Sequence, residues 1–208
     1  MKMKIVLATH NMDKCAEMKS IMRGIPVKLL TLNEYPKIGE IIENGRTLLE
    51  NALIKAKTVH KLTNLPALAD DTGLEVDILN GQPGIYSARY AGEKCSYSDN
   101  VNKLLQEMNN ISLGKRTAHF CTAIAYVDDN MELTTGGTVQ GLITDKRKGI
   151  DGFGYDPVFY VPNMKKTYAE MSMNEKNQIS HRGKAMKNMQ QLLQSHLPKI
   201  FYQMEDTT

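Results

Sequence analysis

Short apolar runs and amphipathic helical stretches take turns along the first half of this sequence, and that order constrains the fold more than any other feature. Lys4-Ile5-Val6-Leu7-Ala8 has the length and composition of a buried strand. A helix with Cys15, Met18 and Met22 on its apolar face follows, stopped by Gly24 and Pro26. Val27 to Leu30 reads as a second strand. After a loop carrying Pro36, Gly39 and Gly45, Thr47-Leu48-Leu49-Glu50 forms a capping box, in which a hydroxyl and a carboxylate each take up a free backbone N–H. Leu49, Ala52, Leu53, Ala56 and Val59 then recur at helical spacing.

Further on, Leu65 to Ala69 is a short apolar strand predicted to deliver Asp70 and Asp71 to its C-terminal end, and Glu75 to Ile78 alternates separately. Val101, Leu104, Leu105 and Met108 mark a helix capped by Ser98 or Asp99. Thr117 to Val127 and Met131 to Ile143 are two strands joined by the turn chemistry of Asp128-Asp129-Asn130. Pro157 to Val161 adds a strand, Thr167 to Glu170 a second capping box, and Ala185, Met189, Leu192 and Leu193 the last long helix. Strands that alternate with helices and later pair through a hairpin predict a mixed α/β sheet.

The 208 residues, 41% apolar and 24% charged, suffice for a sizeable core and exclude a disordered chain. The chain is read as a single domain over residues 1–208, with the tail 205–208 expected to fray. No apolar run approaches the roughly 18 residues of a membrane span, and the stretch behind the basic start is too short for a signal-peptide core. With an odd set of 3 cysteines, Cys15, Cys95 and Cys121, at no metal-type spacing, a reduced cytoplasmic protein is expected, and all three are read as packing residues. A net charge of +3 is too small to argue for nucleic acid. His119, inside an apolar strand, is read as a hydrogen-bonded core residue.

Four segments carry chemistry-bearing residues. Thr9-His10-Asn11-Met12-Asp13-Lys14 spans a strand-to-helix junction, where backbone N–H groups and Lys14 favour a phosphate, although Asn and Asp also serve simply as helix caps. Asp70 and Asp71 are neighbours on a strand and face opposite ways, so their roles should divide: one carboxylate can bind Mg²⁺ or take a proton from water. Glu43, Glu40 and Glu50 are possible partners, and Glu50 already has work in the capping box. In Gly152-Phe153-Gly154-Tyr155-Asp156 two glycines let the backbone approach a flat ligand on which a ring stacks, while the same residues also suit an ordinary turn around a core Phe. Lys176 and Ser180-His181-Arg182 offer donors for phosphate or a purine edge, or a solvated basic face. A fifth stretch, Gln82 to Gly92, sets Tyr86 and Tyr90 about Arg89, suited to clamping a substrate or a second subunit.

Taken in order, these segments resemble the signatures of the inosine triphosphate pyrophosphatase family. Thr9-His10-Asn11 with Lys14 is similar to its Thr-x-Asn-x-x-Lys element, and Thr47 to Ala52 to its Thr-Phe-x-Glu-Asn-Ala helix start. Ala69 to Leu74, Pro83 to Gly92, Gly152 to Phe159 and Ser180 to Lys184 resemble the rest. Thr72 stands where Ser is usual, Leu48 where an aromatic is usual, and His10 and Asp13 where small or neutral residues are common. The resemblance implies a long central mixed sheet flanked by helices, two lobes around a substrate cleft, and a homodimer. It also implies hydrolysis of ITP, dITP and XTP to the monophosphate and pyrophosphate, with Mg²⁺. Asp71 would be proton acceptor and metal ligand, and the second metal ligand falls near Glu43, with Glu40 and Glu50 as alternatives. Thr9 to Lys14 would hold the triphosphate and Thr72 touch substrate, while Phe153 to Asp156, Lys176, His181 and Arg182 surround base and phosphates. The alternative is a catalytically silent purine-nucleotide sensor.

Overall fold

The computed structural model describes residues 2–197; the expectation for 205–208 lies outside them. Its strands are β1 (Met3–Leu7), β2 (Val27–Thr31), β3 (Ala67–Val76), β4 (Pro83–Gly84), β5 (Thr117–Val127), β6 (Glu132–Ile143), β7 (Phe159–Val161) and β8 (Lys166–Thr167). Its α-helices are α1 (Met12–Ile21), α2 (Leu48–Thr63), α3 (Tyr97–Glu107), α4 (Met173–Ile179) and α5 (His181–His196). The strands form one mixed sheet of eight in the order β2-β1-β3-β5-β6-β7-β8, with β4 paired to β3. β1 runs parallel to β2 and β3, and β7 antiparallel to β6 and β8. Parallel pairing at one end requires crossovers, which α1 and α2 provide, whereas the antiparallel strands need only turns.

The chain divides into two compact units. The first comprises the described residues up to Asp71, Ala123–Gly136 and those from Arg182 on; the second comprises Thr72–Thr122 and Gly137–His181. Each has its own core. In the first, Ile5 and Leu7 pack with Cys15, Met18, Met22 and the α5 residues Ala185, Met189 and Leu193, while Ala52, Ala56 and Val59 of α2 pack against Val6, Ala8, Ala67 and Ala69. In the second, Leu74, Val101, Leu104 and Met108 pack with Phe120, Tyr155, Phe159 and Tyr168.

Several expectations needed correction. β3 does not stop at the two acids: it is one strand of ten residues, so Asp70 and Asp71 sit in its middle. Gly73, inside that strand, faces the close approach of β4; a Cβ would lie 2.7 Å from the Gly84 carbonyl oxygen. Leu49 is exposed, and the buried apolar stripe of α2 begins at Ala52. Ser96, rather than Ser98 or Asp99, caps α3, its hydroxyl accepting the Asp99 N–H while the Asp99 carboxylate takes the Ser96 N–H. The third of the β-rich expectations shortens, β7 beginning at Phe159. Of the cysteines only Cys15 is buried. His119 is no core residue but half-buried beside Glu75.

Candidate active site

The candidate residues fall into two sets, one in each unit. In the first unit Thr47 caps α2 as expected, its Oγ1 accepting the Glu50 N–H, but the box does not close on the cap: the Glu50 carboxylate takes the Arg46 N–H at 2.5 Å and not that of Thr47. One turn in, Asn51 is buried, its side-chain oxygen accepting the Gly45 N–H at 2.9 Å. That contact fixes the amide orientation, so Asn51 Nδ2 donates to Asp71 Oδ2 at 3.2 Å. Another turn on, Lys55 Nζ lies 3.2 Å from Asp71 Oδ1 and 3.0 Å from Glu43 Oε2. Burial alone would lower the Lys55 pKa, but the charges of Asp71, Asp70 and Glu43 outweigh it and hold the ammonium above its ordinary value.

Asp70 points the other way, as the alternation of a strand demands. It has no accessible surface, and its Oδ2 lies 3.1 Å from Lys14 Nζ, 3.1 Å from Arg182 Nε and 3.0 Å from Arg182 Nη2. Burial opposes its ionisation, yet Lys14, Arg182 and Lys55 more than offset this and keep the carboxyl far below the usual carboxylate range. The remaining Arg182 nitrogen, Nη1, donates to the buried Glu17. The predicted basic face therefore does not exist at Arg182: its guanidinium is 2% exposed and faces two carboxylates.

The strand-to-helix junction is tightly organised. Asn11 caps α1 by accepting the Lys14 N–H, Thr9 Oγ1 accepts the Asn11 N–H, and both distances are 3.1 Å. His10 Nε2 donates to the Gly39 carbonyl at 3.0 Å, Met12 and Asp13 are exposed, and Lys14 reaches Asp70. Among the three acids considered as partner to Asp71, Glu50 is taken by the Arg46 amide, whereas Glu43 shares Lys55 with Asp71. Two carboxylates thus aim at one cationic point. Oxygen donors from two carboxylates are what a hard divalent cation requires, so Glu43 and Asp71 are the pair that could hold Mg²⁺.

In the second unit Asp156 organises the glycine-flanked loop. Its carboxylate accepts the Phe153 N–H at 2.9 Å and ion-pairs with Lys176, both side chains being buried. Gly152 has φ +74° and a Cβ there would come within 2.1 Å of Asp156 Oδ2, so only glycine lets the loop close on the acid. Lys176 Nζ lies 4.8 Å from the Phe153 ring centroid and 5.4 Å from that of Tyr168. Phe153 is half-buried and Tyr97 approaches it at 5.8 Å between centroids. Tyr155 is corrected from ligand contact to core: its ring is buried and its hydroxyl donates to the Ser87 carbonyl at 2.9 Å. His181 is stacked on Phe120 at 4.4 Å, and Thr72 Oγ1 is 2.6 Å from Thr122 Oγ1. In the segment read as a clamp, Arg89 covers the ring of the exposed Tyr86 at 5.3 Å, and Tyr90 is buried.

Lys55, Asn51, Glu17 and the pairing role of Asp70 escaped the sequence reading. The signal for Lys55 and Asn51 was their spacing of four on the same stripe as Ala52 and Ala56, where a polar residue must find a buried partner.

With this geometry in hand, the comparisons with known proteins are specific. The sequence model of the Ham1 family matches residues 5–192. A protein of Thermoanaerobacter pseudethanolicus named dITP/XTP pyrophosphatase is 45% identical over 195 residues, covering 94% of this chain and 98% of its own length. One of Bacillus anthracis with the same name is 42% identical, covering 90% of this chain and 95% of its own. The Ham1 protein of Staphylococcus aureus superposes with a TM-score of 0.82 at 41% identity, covering 93% of this chain and 99% of its own. Likeness at this level over nearly the whole length, in sequence and in fold, places the chain in the Ham1 family.

Proposed function

We propose that this chain is a pyrophosphatase that hydrolyses non-standard, deaminated purine nucleoside triphosphates, dITP, ITP and XTP, to the monophosphate and pyrophosphate. The observation that carries the reading is Asp71, a carboxylate with both oxygens held by Asn51 and Lys55 beside a second carboxylate, in a chain 45% identical to a relative named for this activity. Asp71 takes the proton of the attacking water as its oxygen adds to the α-phosphorus, and the bond to the bridging oxygen breaks to release pyrophosphate. Glu43 and Asp71 would hold Mg²⁺, which neutralises charge on the phosphates when bound. Lys14, at the start of α1, is positioned with the junction Thr9 to Asn11 to receive the triphosphate. Lys55, held charged by the acids around it, anchors one oxygen of Asp71 at 3.2 Å and so fixes the direction of that carboxylate.

In the second unit Phe153 supplies a face for the purine, with the Lys176 charge alongside. Hypoxanthine and xanthine present an oxygen acceptor at the 6-position and adenine an amino donor. A site of N–H donors from the glycine-flanked loop backbone of the second unit rejects adenine because the site's buried donors are left unpaired. Mg²⁺ dependence, a homodimer and action in the cytoplasm belong to the same proposal; among the described residues no helix is long and apolar enough to cross a membrane. A coupled pyrophosphate assay tests the function. Rapid pyrophosphate release from dITP and XTP, with far less from ATP, is the expected result. Equal ATP hydrolysis, orthophosphate as direct product, or nucleotide binding without turnover would each overturn it, the last in favour of a sensor. Sedimentation of a monomer at micromolar concentration would overturn the dimer.

A further inference from the structure

Glu75 on β3 and His119 and Cys121 on β5 form a cluster apart from the residues assigned above, all within the second unit. One ligand atom from each, a carboxylate oxygen, an imidazole nitrogen and Sγ, lies within 4.8 Å of the other two. The two strands are neighbours in the sheet, and residues 119 and 121 share a face because strand side chains alternate. Leu74, Val76, Ala118 and Phe120 point into the core from the opposite face, so the cluster looks away from that core. All three side chains are half-buried, within reach of an ion from solvent. His119 Nε2 is 2.9 Å from Glu75 Oε2 and its Nδ1 is 3.6 Å from Asp77 Oδ1, while Cys121 Sγ is 3.4 Å from Thr138 Oγ1.

We propose that this cluster binds a divalent transition cation of zinc's class through Glu75, Nε2 of His119 and the thiolate of Cys121, with water as fourth ligand. Mixed nitrogen, oxygen and sulfur donors suit zinc and its neighbours and not magnesium, which selects oxygen alone, so this is no second copy of the Glu43 and Asp71 site. Three protein ligands with an open fourth position is an arrangement zinc adopts, with bonds of about 2.0 to 2.3 Å that set ligand atoms roughly 3.5 Å apart. The donors must therefore close by about an ångström, a movement within the torsional freedom of half-exposed side chains. Asp77 stands where the second nitrogen of His119 can donate to it. Its Oδ1 lies 3.6 Å from Nδ1, and a closing of a few tenths of an ångström as the ion binds would put the proton on Nδ1 and leave the Nε2 lone pair for the ion. On binding, Cys121 gives its proton to solvent and the sulfur–metal bond forms. The bound ion would cross-link β3 to β5 and replace the present contact of Glu75 with His119.

Cobalt(II) titration of the full chain, followed by absorption spectroscopy, tests the inference independently of the proposed hydrolysis. The expected result is a thiolate-to-cobalt charge-transfer band that saturates at a single equivalent and is displaced by zinc. Cys121→Ser removes the band, His119→Ala weakens binding at least tenfold, and Cys95→Ser, at the other half-buried thiol, leaves it unchanged. Asp71→Asn also leaves it unchanged, which separates this site from the candidate active site. Absence of the band in the unaltered protein, its survival in Cys121→Ser, its loss in Cys95→Ser or Asp71→Asn, or unweakened binding by His119→Ala would overturn the assignment.

Discussion

Asp70 and Asp71 in the first unit and Asp156 in the second are all buried carboxylates, but they are held in different company. The first two are consecutive on β3 and sit in a network of seven charged side chains in which Lys55 serves two acids and Arg182 another two. Asp156 pairs with Lys176, and that cation is walled by the rings of Phe153 and Tyr168. A network of carboxylates shared among cations prepares a place for cations and proton transfer. An ion pair walled by rings shapes a surface for a flat, weakly polar group. The difference predicts that substitutions in the first unit change turnover and stability, and those in the second change binding.

The largest expected effect is on turnover. Asp71→Asn preserves size but removes the base and turns one acceptor oxygen into a donor, so kcat for dITP should fall by about 10²- to 10⁴-fold, well beyond any loss in the folded fraction read from the thermal unfolding midpoint. Phe153→Ala should leave kcat within a few-fold and raise KM by roughly ten- to a hundredfold, as loss of a base-stacking ring typically does. If Asp71→Asn raised KM alone, or Phe153→Ala lowered kcat alone, the division of labour between the units would be broken.

Next comes stability. Asp70→Asn leaves Lys14 and Arg182 facing a neutral amide in a fully buried position, and breaking a buried pair in this way costs about 3–5 kcal/mol. Denaturant unfolding at neutral pH measures it. The pH dependence has a definite sign. Because the folded Asp70 carboxyl is held far below its unfolded value of about 3.9, its contribution is complete above that value and drains away as pH falls below it. The Asn variant should therefore show a shallower acid limb of stability than the unaltered protein, and an equally steep limb would assign the acid sensitivity to other carboxylates.

Which parts of this were legible in the sequence follows from the same physics. The α2 start was readable because the Thr47 cap is a local signature, and the opposite facing of Asp70 and Asp71 because strand alternation dictates it. Lys55 was not, since a lysine on a helix is ordinarily a solvated charge; only the acids brought to it by β3 and the loop at Glu43 give it a buried role. Arg182 was read as a donor to phosphate or purine, or as part of a solvated basic face, because its partners, Glu17 and Asp70, lie 165 and 112 residues away in sequence. His119 failed for a related reason. Strand alternation separates two faces, but which face is covered depends on the helices and strands packed against it. Tyr155 and Phe153 were both taken as ligand rings, whereas loop direction turns one to the core and leaves the other half-open.

The smallest effect discriminates between the units by helix length. Thr47 caps α2, of 16 residues, and Ser172 caps α4, of 7 residues. Replacing either cap by Ala should cost about 1 kcal/mol of stability. The consequences for the two lysines should diverge. Lys55 lies two turns beyond its cap in a helix long enough to lose its first turn, and it is tied to two acids. Lys176 lies one turn beyond Ser172, whose hydroxyl holds the Glu175 N–H, so fraying there moves the lysine that faces Asp156 and Phe153. Ser172→Ala should thus raise KM several-fold, whereas Thr47→Ala with the same loss of stability should leave it nearly unchanged. Equal KM values would mean that packing among the rings, and not the cap, holds Lys176 in place.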